Sequence, residues 1–251
     1  MLGEKSIRVI VNGAQGKMGK LACETIDNHS DFLLVGALTR QDDLSQAIGS
    51  SKANIVIDLT RADCVYENSL IIIENGAHPI IGTSGLIDEQ IEKLKKQCEA
   101  KKLGGIIVAN FSIAAVLMMR FAAEAARYFT EVEIIETHHQ QKLDAPSGTA
   151  LKTAEMIAKA KHAKQNELAL RELVPGARGG SHHGVPIHSL RLPGFLANQK
   201  IIFGSPGETL TITHNSIDRA SFMPGLILAC QRVQTLDRLY YGLESLLYRS
   251  Q

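Results

Sequence analysis

The amino-acid sequence predicts an α/β protein: a doubly wound parallel sheet joined to a smaller α+β domain whose sheet is mixed or antiparallel. Three observations carry that expectation. Short apolar, β-branched runs alternate with helical stretches through the first half of the chain, three glycines follow the first of those runs, and beyond Phe111 a long helix gives way to strands in close succession.

The expected strands of the first part are residues 7–11, 32–38, 55–59, 79–81 and 105–109. Their short, nearly continuous apolar runs, rich in Ile and Val, are those of strands covered on both faces. Between them, residues 16–27, 62–74 and 88–101 read as helices, and in the last Ile91, Leu94 and Cys98 share one face. Ligands of such sheets lie beyond the carboxyl ends of the strands, where the strand order switches. Those ends carry Gly13, Thr39-Arg40, Thr60, Gly82-Thr83-Ser84 and Asn110-Phe111.

After Phe111, residues 113–129 form a helical pattern, 132–136 a strand and 149–161 a second helix. Residues 172–185, glycine-rich and containing Pro175, read as a loop. Residues 187–192, 200–203 and 209–214 read as strands whose short connections suit antiparallel pairing. A last helix carries Met223, Leu226, Ile227, Ala229 and Cys230 before a Tyr/Leu-rich end. The change of pattern sets a domain break near residue 112.

Composition narrows the function classes. The 251 residues are 45% hydrophobic and 21% charged, ordinary for a globular protein and enough for two modest domains. A net charge of +1 without a basic stripe argues against a nucleic-acid partner. The apolar stretch 111–126 is interrupted by Arg120 and Glu124, short of a membrane span. Cys23, Cys64, Cys98 and Cys230 are far apart and form no C-x-x-C, so they read as buried or neutral thiols in a reducing compartment. With residues 1–6 leading into the first strand without a signal-peptide pattern, the expected location is the cytoplasm.

The glycine loop follows the first strand and opens the first helix: Gly13-Ala14-Gln15-Gly16-Lys17-Met18-Gly19. Backbone N–H groups and the positive helix end there suit a dinucleotide pyrophosphate, as in a Rossmann-like domain. The spacing is G-x-x-G-x-x-G, with Gln15 where the usual fingerprint has its second glycine. At the end of the second strand stand Thr39-Arg40, with no carboxylate to pair a ribose hydroxyl and a guanidinium able to fork a phosphate. NADPH is therefore expected over NADH, moderated by Asp42 and Asp43 close by, with NADH still usable.

The second concentration of chemistry runs from Glu136 to Thr149, E-T-H-H-Q-Q-K-L-D-A-P-S-G-T. Histidine is matched to proton transfer near neutral pH, and a partly desolvated lysine can donate a proton. Ser147-Gly148-Thr149 makes a helix start with unpaired N–H groups and no bulky side chain at Gly148. Together they suit a carboxylate-bearing substrate. Strand alternation puts His138, Gln140 and Lys142 on one side and His139 and Gln141 on the other, so a turn is needed for both histidines to serve one pocket. No metal is expected, because adjacent histidines do not readily share a tetrahedral site and no third ligand is suitably spaced. His182-His183 lies in the glycine-rich stretch and reads as solvent-facing.

These segments, with Gly82-Thr83-Ser84-Gly85 and Ala109-Asn110-Phe111-Ser112, resemble the 4-hydroxy-tetrahydrodipicolinate reductase family, formerly dihydrodipicolinate reductase, over nearly the whole chain. The resemblance implies reduction of the cyclic product of aspartate-semialdehyde and pyruvate to tetrahydrodipicolinate with loss of water, on the diaminopimelate route to lysine. It places His138 at the acid/base position and Lys142 at the proton donor, and His139, Gly148 and Thr149 at substrate-binding positions. It places Gly13, Ala14, Gln15, Gly16, Lys17, Met18, Gly82, Thr83, Ser84, Val108, Ala109, Asn110 and Phe111 against the cofactor, with Arg40 discriminating the phosphate.

It further implies a discontinuous dinucleotide-binding domain, residues 1–112 and 221–251, and a substrate-binding and tetramerisation domain, 113–220, assembled as a homotetramer. The chain departs from the family pattern at Thr39, usually acidic, and at Ala197-Asn198-Gln199, commonly G-E-H. Two other readings share the plan: a dehydrogenase of another small acid, against which the His-His-x-x-Lys run argues, and a nucleotide-sensing module without turnover.

Overall fold

The alternating runs become, in a computed structural model that describes residues 7–161 and 171–247, a regular succession of strands and helices. The first part holds β1 (Ile7–Asn12), α1 (Lys17–Asp27), β2 (Phe32–Leu38), α2 (Leu44–Ser51), β3 (Ile55–Asp58), α3 (Val65–Glu74), β4 (His78–Ile81), α4 (Asp88–Lys101) and β5 (Gly105–Ile107). The second holds α5 (Ile113–Ala125), β6 (Glu131–His138), α6 (Gly148–Ala160), β7 (Gly180–His182), β8 (Val185–Arg191), β9 (Ala197–Ser205) and β10 (Glu208–Ser216). The chain ends through α7 (Met223–Arg232), β11 (Leu239–Tyr241) and α8 (Glu244–Leu247). The expected lead-in of residues 1–6 lies outside the described residues.

Contacts divide the chain into two units, one running to Ile113 and resuming at Phe222, the other spanning Ala114–Ser221. The first unit is a six-stranded sheet in the order β11-β5-β4-β3-β1-β2, parallel throughout. Ile55, Val56 and Ile57 are all wholly buried, which requires cover on both faces. On one face α2, α3 and α4 contribute Ile48, Ile72, Ile73, Leu94 and Cys98 to two apolar clusters. Each fully buried Ile or Leu contributes about 1.5–3 kcal/mol.

Helix α2 and strand β11 were among the elements not expected. The helix α2 is capped by Asp43, whose carboxylate accepts from the Gln46 N–H at 3.0 Å. Its brevity hid it, with only Leu44 and Ile48 fully buried. The sixth strand, β11, has three residues, too few for a pattern, and pairs Leu239 with Gly105.

The second unit is a five-stranded mixed sheet in the order β10-β9-β6-β8-β7. The expected antiparallel pairing holds between β9 and β10 but not between β8 and β9, because β6 lies between them, parallel to β8 and antiparallel to β9. Burial explains this: β6 carries Val132, Ile134, Glu136 and Thr137, all buried, and the centre of a sheet covers a strand from both edges. The stretch read as a loop also contains β7, which pairs with β8 across His183-Gly184. Both turn residues have positive φ, 52° and 77°, as a two-residue hairpin turn requires.

Candidate active site

In the first unit the strand order reverses between β1 and β3, which defines the switch point. Gly13, with φ +88°, lies there: a Cβ on it would come 2.5 Å from the Leu59 carbonyl. Its N–H and that of Ala14 both donate to the Leu38 carbonyl, at 3.0 and 2.9 Å. A Cβ on Gly19 would come 2.1 Å from the Gly13 carbonyl, so that glycine lets α1 pack on the loop. Gly16 differs, with nothing nearer than 3.4 Å. It starts α1 in an extended conformation, with no side-chain cap and no acidic residue in the first turn. The positive end of α1 is thus left for an external anion, and a dinucleotide pyrophosphate fits it.

The other residues expected at the cofactor follow the same ends of the sheet. Gly82, Thr83 and Ser84 follow β4, and a Cβ on Gly82 would come 2.7 Å from the Leu59 and Phe111 side chains, which would have to shift. Val108 to Phe111 follow β5; the side chains of Val108 and Phe111 are buried, Ala109 is exposed and Asn110 is half-buried. Gln15, Gly16 and Lys17 are exposed, with Met18 half-buried.

Arg40 follows β2, is exposed and has no ion pair among the described residues. The two neighbouring acids are engaged elsewhere. Asp42 accepts from the Thr39 N–H and hydroxyl at 2.7 and 2.9 Å, which lowers its pKa, while Asp43 caps α2.

Sequence reasoning missed Asp58. It is wholly buried at the end of β3, and its carboxylate accepts from Asn12 at 3.1 Å, Asn68 at 2.9 Å, the Thr60 hydroxyl at 2.7 Å and the Thr83 hydroxyl at 2.8 Å. One side chain therefore ties together the residues following β3 and β4, the end of β1 and α3. Asn12, Thr60 and Thr83 all stand beside the strand ends, but only the folded register brings them to a single acceptor.

In the second unit the strand β6 ends at His138, and the chain turns at once, with the Lys142 N–H donating to the His139 carbonyl at 3.1 Å. The turn thus begins at His139, directly after His138. Beyond it the Ala145–Pro146 peptide is cis, and Ser147 caps α6 by accepting from the Ala150 N–H at 3.2 Å. Gly148 opens α6 exposed, with nothing within 4 Å of the place of a Cβ, and the first turn of α6 holds no acid. Thr149 follows it, half-buried.

Glu136, fully buried on β6, organises this segment. Its Oε2 lies 2.6 Å from His138 Nδ1, Arg191 on β8 spans both carboxylate oxygens at 3.0 and 2.9 Å, and the Ser147 N–H donates to Oε1 at 3.2 Å. Burial by itself raises this carboxyl, but hydrogen bonds from His138, Arg191 and Ser189, with the charge of Arg191, outweigh it and hold the group at about 2. Arg191 also donates to the Asp144 carbonyl at 2.7 Å, and the Asp144 side chain receives the Lys142 ammonium. His138 and Lys142 are thereby joined through one chain of contacts. Glu136 stood inside the conspicuous run, yet only the register of β6 on β8, which pairs His138 with Arg191, shows its partner.

Comparison with known proteins decides the family. The model described as "Dihydrodipicolinate reductase, N-terminus" matches residues 7–111, and that described as "Dihydrodipicolinate reductase, C-terminus" matches residues 114–247. The chain belongs to the dihydrodipicolinate reductase family. Relatives within that family include the 4-hydroxy-tetrahydrodipicolinate reductase of Legionella pneumophila, 67% identical over 240 residues, covering 96% of this chain and 99% of that protein. The enzyme of the same name from Coxiella burnetii is 53% identical over 242 residues, covering 96% and 100%. Among solved structures, a dipicolinate-bound dihydrodipicolinate reductase from Paenisporosarcina sp. superposes with a TM-score of 0.88 at 42% identity, covering 95% of this chain and 98% of that one. As in other members of the dihydrodipicolinate reductase family, the cofactor is a pyridine nucleotide.

Proposed function

We propose that the chain reduces 4-hydroxy-tetrahydrodipicolinate to tetrahydrodipicolinate with loss of water, using NADPH in preference to NADH, on the diaminopimelate route to lysine. The observation that carries this reading is the segment from His138 to Thr149, where two histidines and a lysine flank one turn that leads to an open helix start. Relatives covering nearly all of the chain carry the name of this reaction, and the Paenisporosarcina relative has dipicolinate, a planar ring diacid, bound.

With a nicotinamide cofactor bound, hydride for the substrate ring would come from it. Lys142, its side chain 20% exposed, gives the proton that the electron-rich ring carbon then takes up. His138 handles the acid/base step. His139, Gly148 and Thr149 hold a carboxylate, the last two at the positive end of α6. In balance the substrate gains a hydride and a proton and releases water. The residues Gly13 to Met18, Gly82 to Ser84 and Val108 to Phe111 hold the cofactor, and Arg40 holds its 2′-phosphate; the diversion of Asp42 and Asp43 to other partners supports that choice.

The first unit serves as the dinucleotide-binding domain and the second binds substrate and forms a homotetramer, in a cytoplasmic enzyme. Leu190 and Leu210, exposed on the second sheet, suit such an assembly, and light scattering of the purified protein tests it. Among the described residues no helix is long and apolar enough to cross a membrane. The reaction is tested by mixing the protein with NADPH and enzymatically generated substrate and following absorbance at the nicotinamide band. Absence of oxidation overturns the reading, and oxidation only with a keto acid and ammonia identifies an amino-acid dehydrogenase instead.

A further inference from the structure

We propose that Glu136 is a positioning residue that holds the His138 imidazole in its Nδ1–H form and leaves Nε2 as the nitrogen that meets the substrate. The proposal rests on the functional reading above for the identity of that substrate. Its own basis is geometric. The Glu136 side chain has 0% exposure, and each of its oxygens is already committed to donors: Oε1 to Arg191 and the Ser147 N–H, Oε2 to Arg191 and His138.

A carboxylate held ionised by that guanidinium only accepts, so in the 2.6 Å contact the donor is His138 Nδ1. The neutral ring then carries its lone pair on Nε2, which has no hydrogen-bond partner among the described residues. The same carboxylate receives the N–H at the start of α6, so the imidazole and the helix start share one anchor. A glutamine in its place would turn an NH2 group toward donors from His138, Arg191 or Ser147, and the two-sided arrangement would be lost. The charged group that touches the ring is Glu136 itself, which also binds Arg191 from β8; Arg191 in turn reaches the Asp144 carbonyl, and the Asp144 side chain holds Lys142.

The test begins with the unmodified protein. Nitrogen-15 NMR of His138 at mildly alkaline pH, assigned with His138→Ala, is expected to show the proton on Nδ1, the form a free imidazole disfavours. Glu136→Gln is then expected to shift His138 toward the Nε2–H form and to lower kcat by roughly tenfold or more while cofactor affinity is kept. In a His138→Ala background the same substitution should cost nothing further. A proton on Nε2 in the unmodified protein overturns the proposal, as does an equal loss from Glu136→Gln with and without His138, which is what a purely structural role gives. If the unmodified protein does not turn over the substrate, the functional reading fails, and the NMR result alone decides for or against Glu136. The same holds if Glu136→Gln does not fold.

Discussion

The Lys142 ammonium rests 2.8 Å from each carboxylate oxygen of Asp144, so the proposed proton donor lies against an acid two residues along the chain. The same Asp144 gives its carbonyl to Arg191, which fixes the turn that carries the lysine. On the proposed reading, Asp144 and the bound substrate compete for this one cation.

Removing that cation has two readouts. Lys142→Ala is expected to lower turnover by about a hundredfold or more with cofactor affinity unchanged, as for an acid acting in the chemical step. Near-normal turnover would take Lys142 out of the chemistry. The Asp144 carboxyl, held down first by its hydrogen bond from Lys142, should also move up toward the ordinary carboxylate range in the variant, read by carbon-13 titration.

Glu136 ties stability to acid pH. Its folded pKa, about 2, lies below the ordinary value of about 4.3, so the ionised group stabilises the fold. That contribution is complete above the unfolded value and is lost as pH falls from there through the folded one; its size is roughly 3 kcal/mol. Urea midpoints of the unmodified protein and Glu136→Gln should differ at pH near neutral and converge in acid. A gap that stays constant contradicts the linkage.

The glycine loop separates folding from binding. Gly13→Ala places a Cβ 2.5 Å from the Leu59 carbonyl at φ +88°, and should cost more than about 1 kcal/mol of stability. Gly16→Ala meets nothing nearer than 3.4 Å and should keep its melting temperature while weakening the cofactor. Thermal unfolding alongside fluorescence titration with NADPH distinguishes the two; similar melting losses would mean that both glycines serve geometry alone.

Arg40→Ala should weaken NADPH about tenfold and leave NADH nearly unchanged, because only the former has a phosphate for the guanidinium. Equal losses for both would remove Arg40 from phosphate reading.

Much of this was legible in the sequence for physical reasons. The buried strands β1 to β5 announce themselves because strands packed between layers read as short, nearly continuous apolar runs, and the glycine loop because its geometry restricts side chains. The Glu136-to-Thr149 run stood out through its unusual density of ionisable groups between a strand and a helix. What stayed hidden depends on register. Arg191 reaches Glu136, and Thr83 reaches Asp58, only after distant segments pair, and no local pattern marks either contact. The strands β7 and β11 were missed because three residues are too few to show a period.

The placement of β11 has a consequence for synthesis. The strand that completes the first sheet lies almost at the end of the chain, after the whole second unit. As the chain leaves the ribosome, β5 emerges with one edge unpaired, and at about 5–20 residues per second that edge stays open for on the order of ten seconds before Leu239 to Tyr241 arrive to cover it. The nascent protein thus carries β5 as an additional open edge for that interval, and a chain truncated before Leu239 would keep it open permanently.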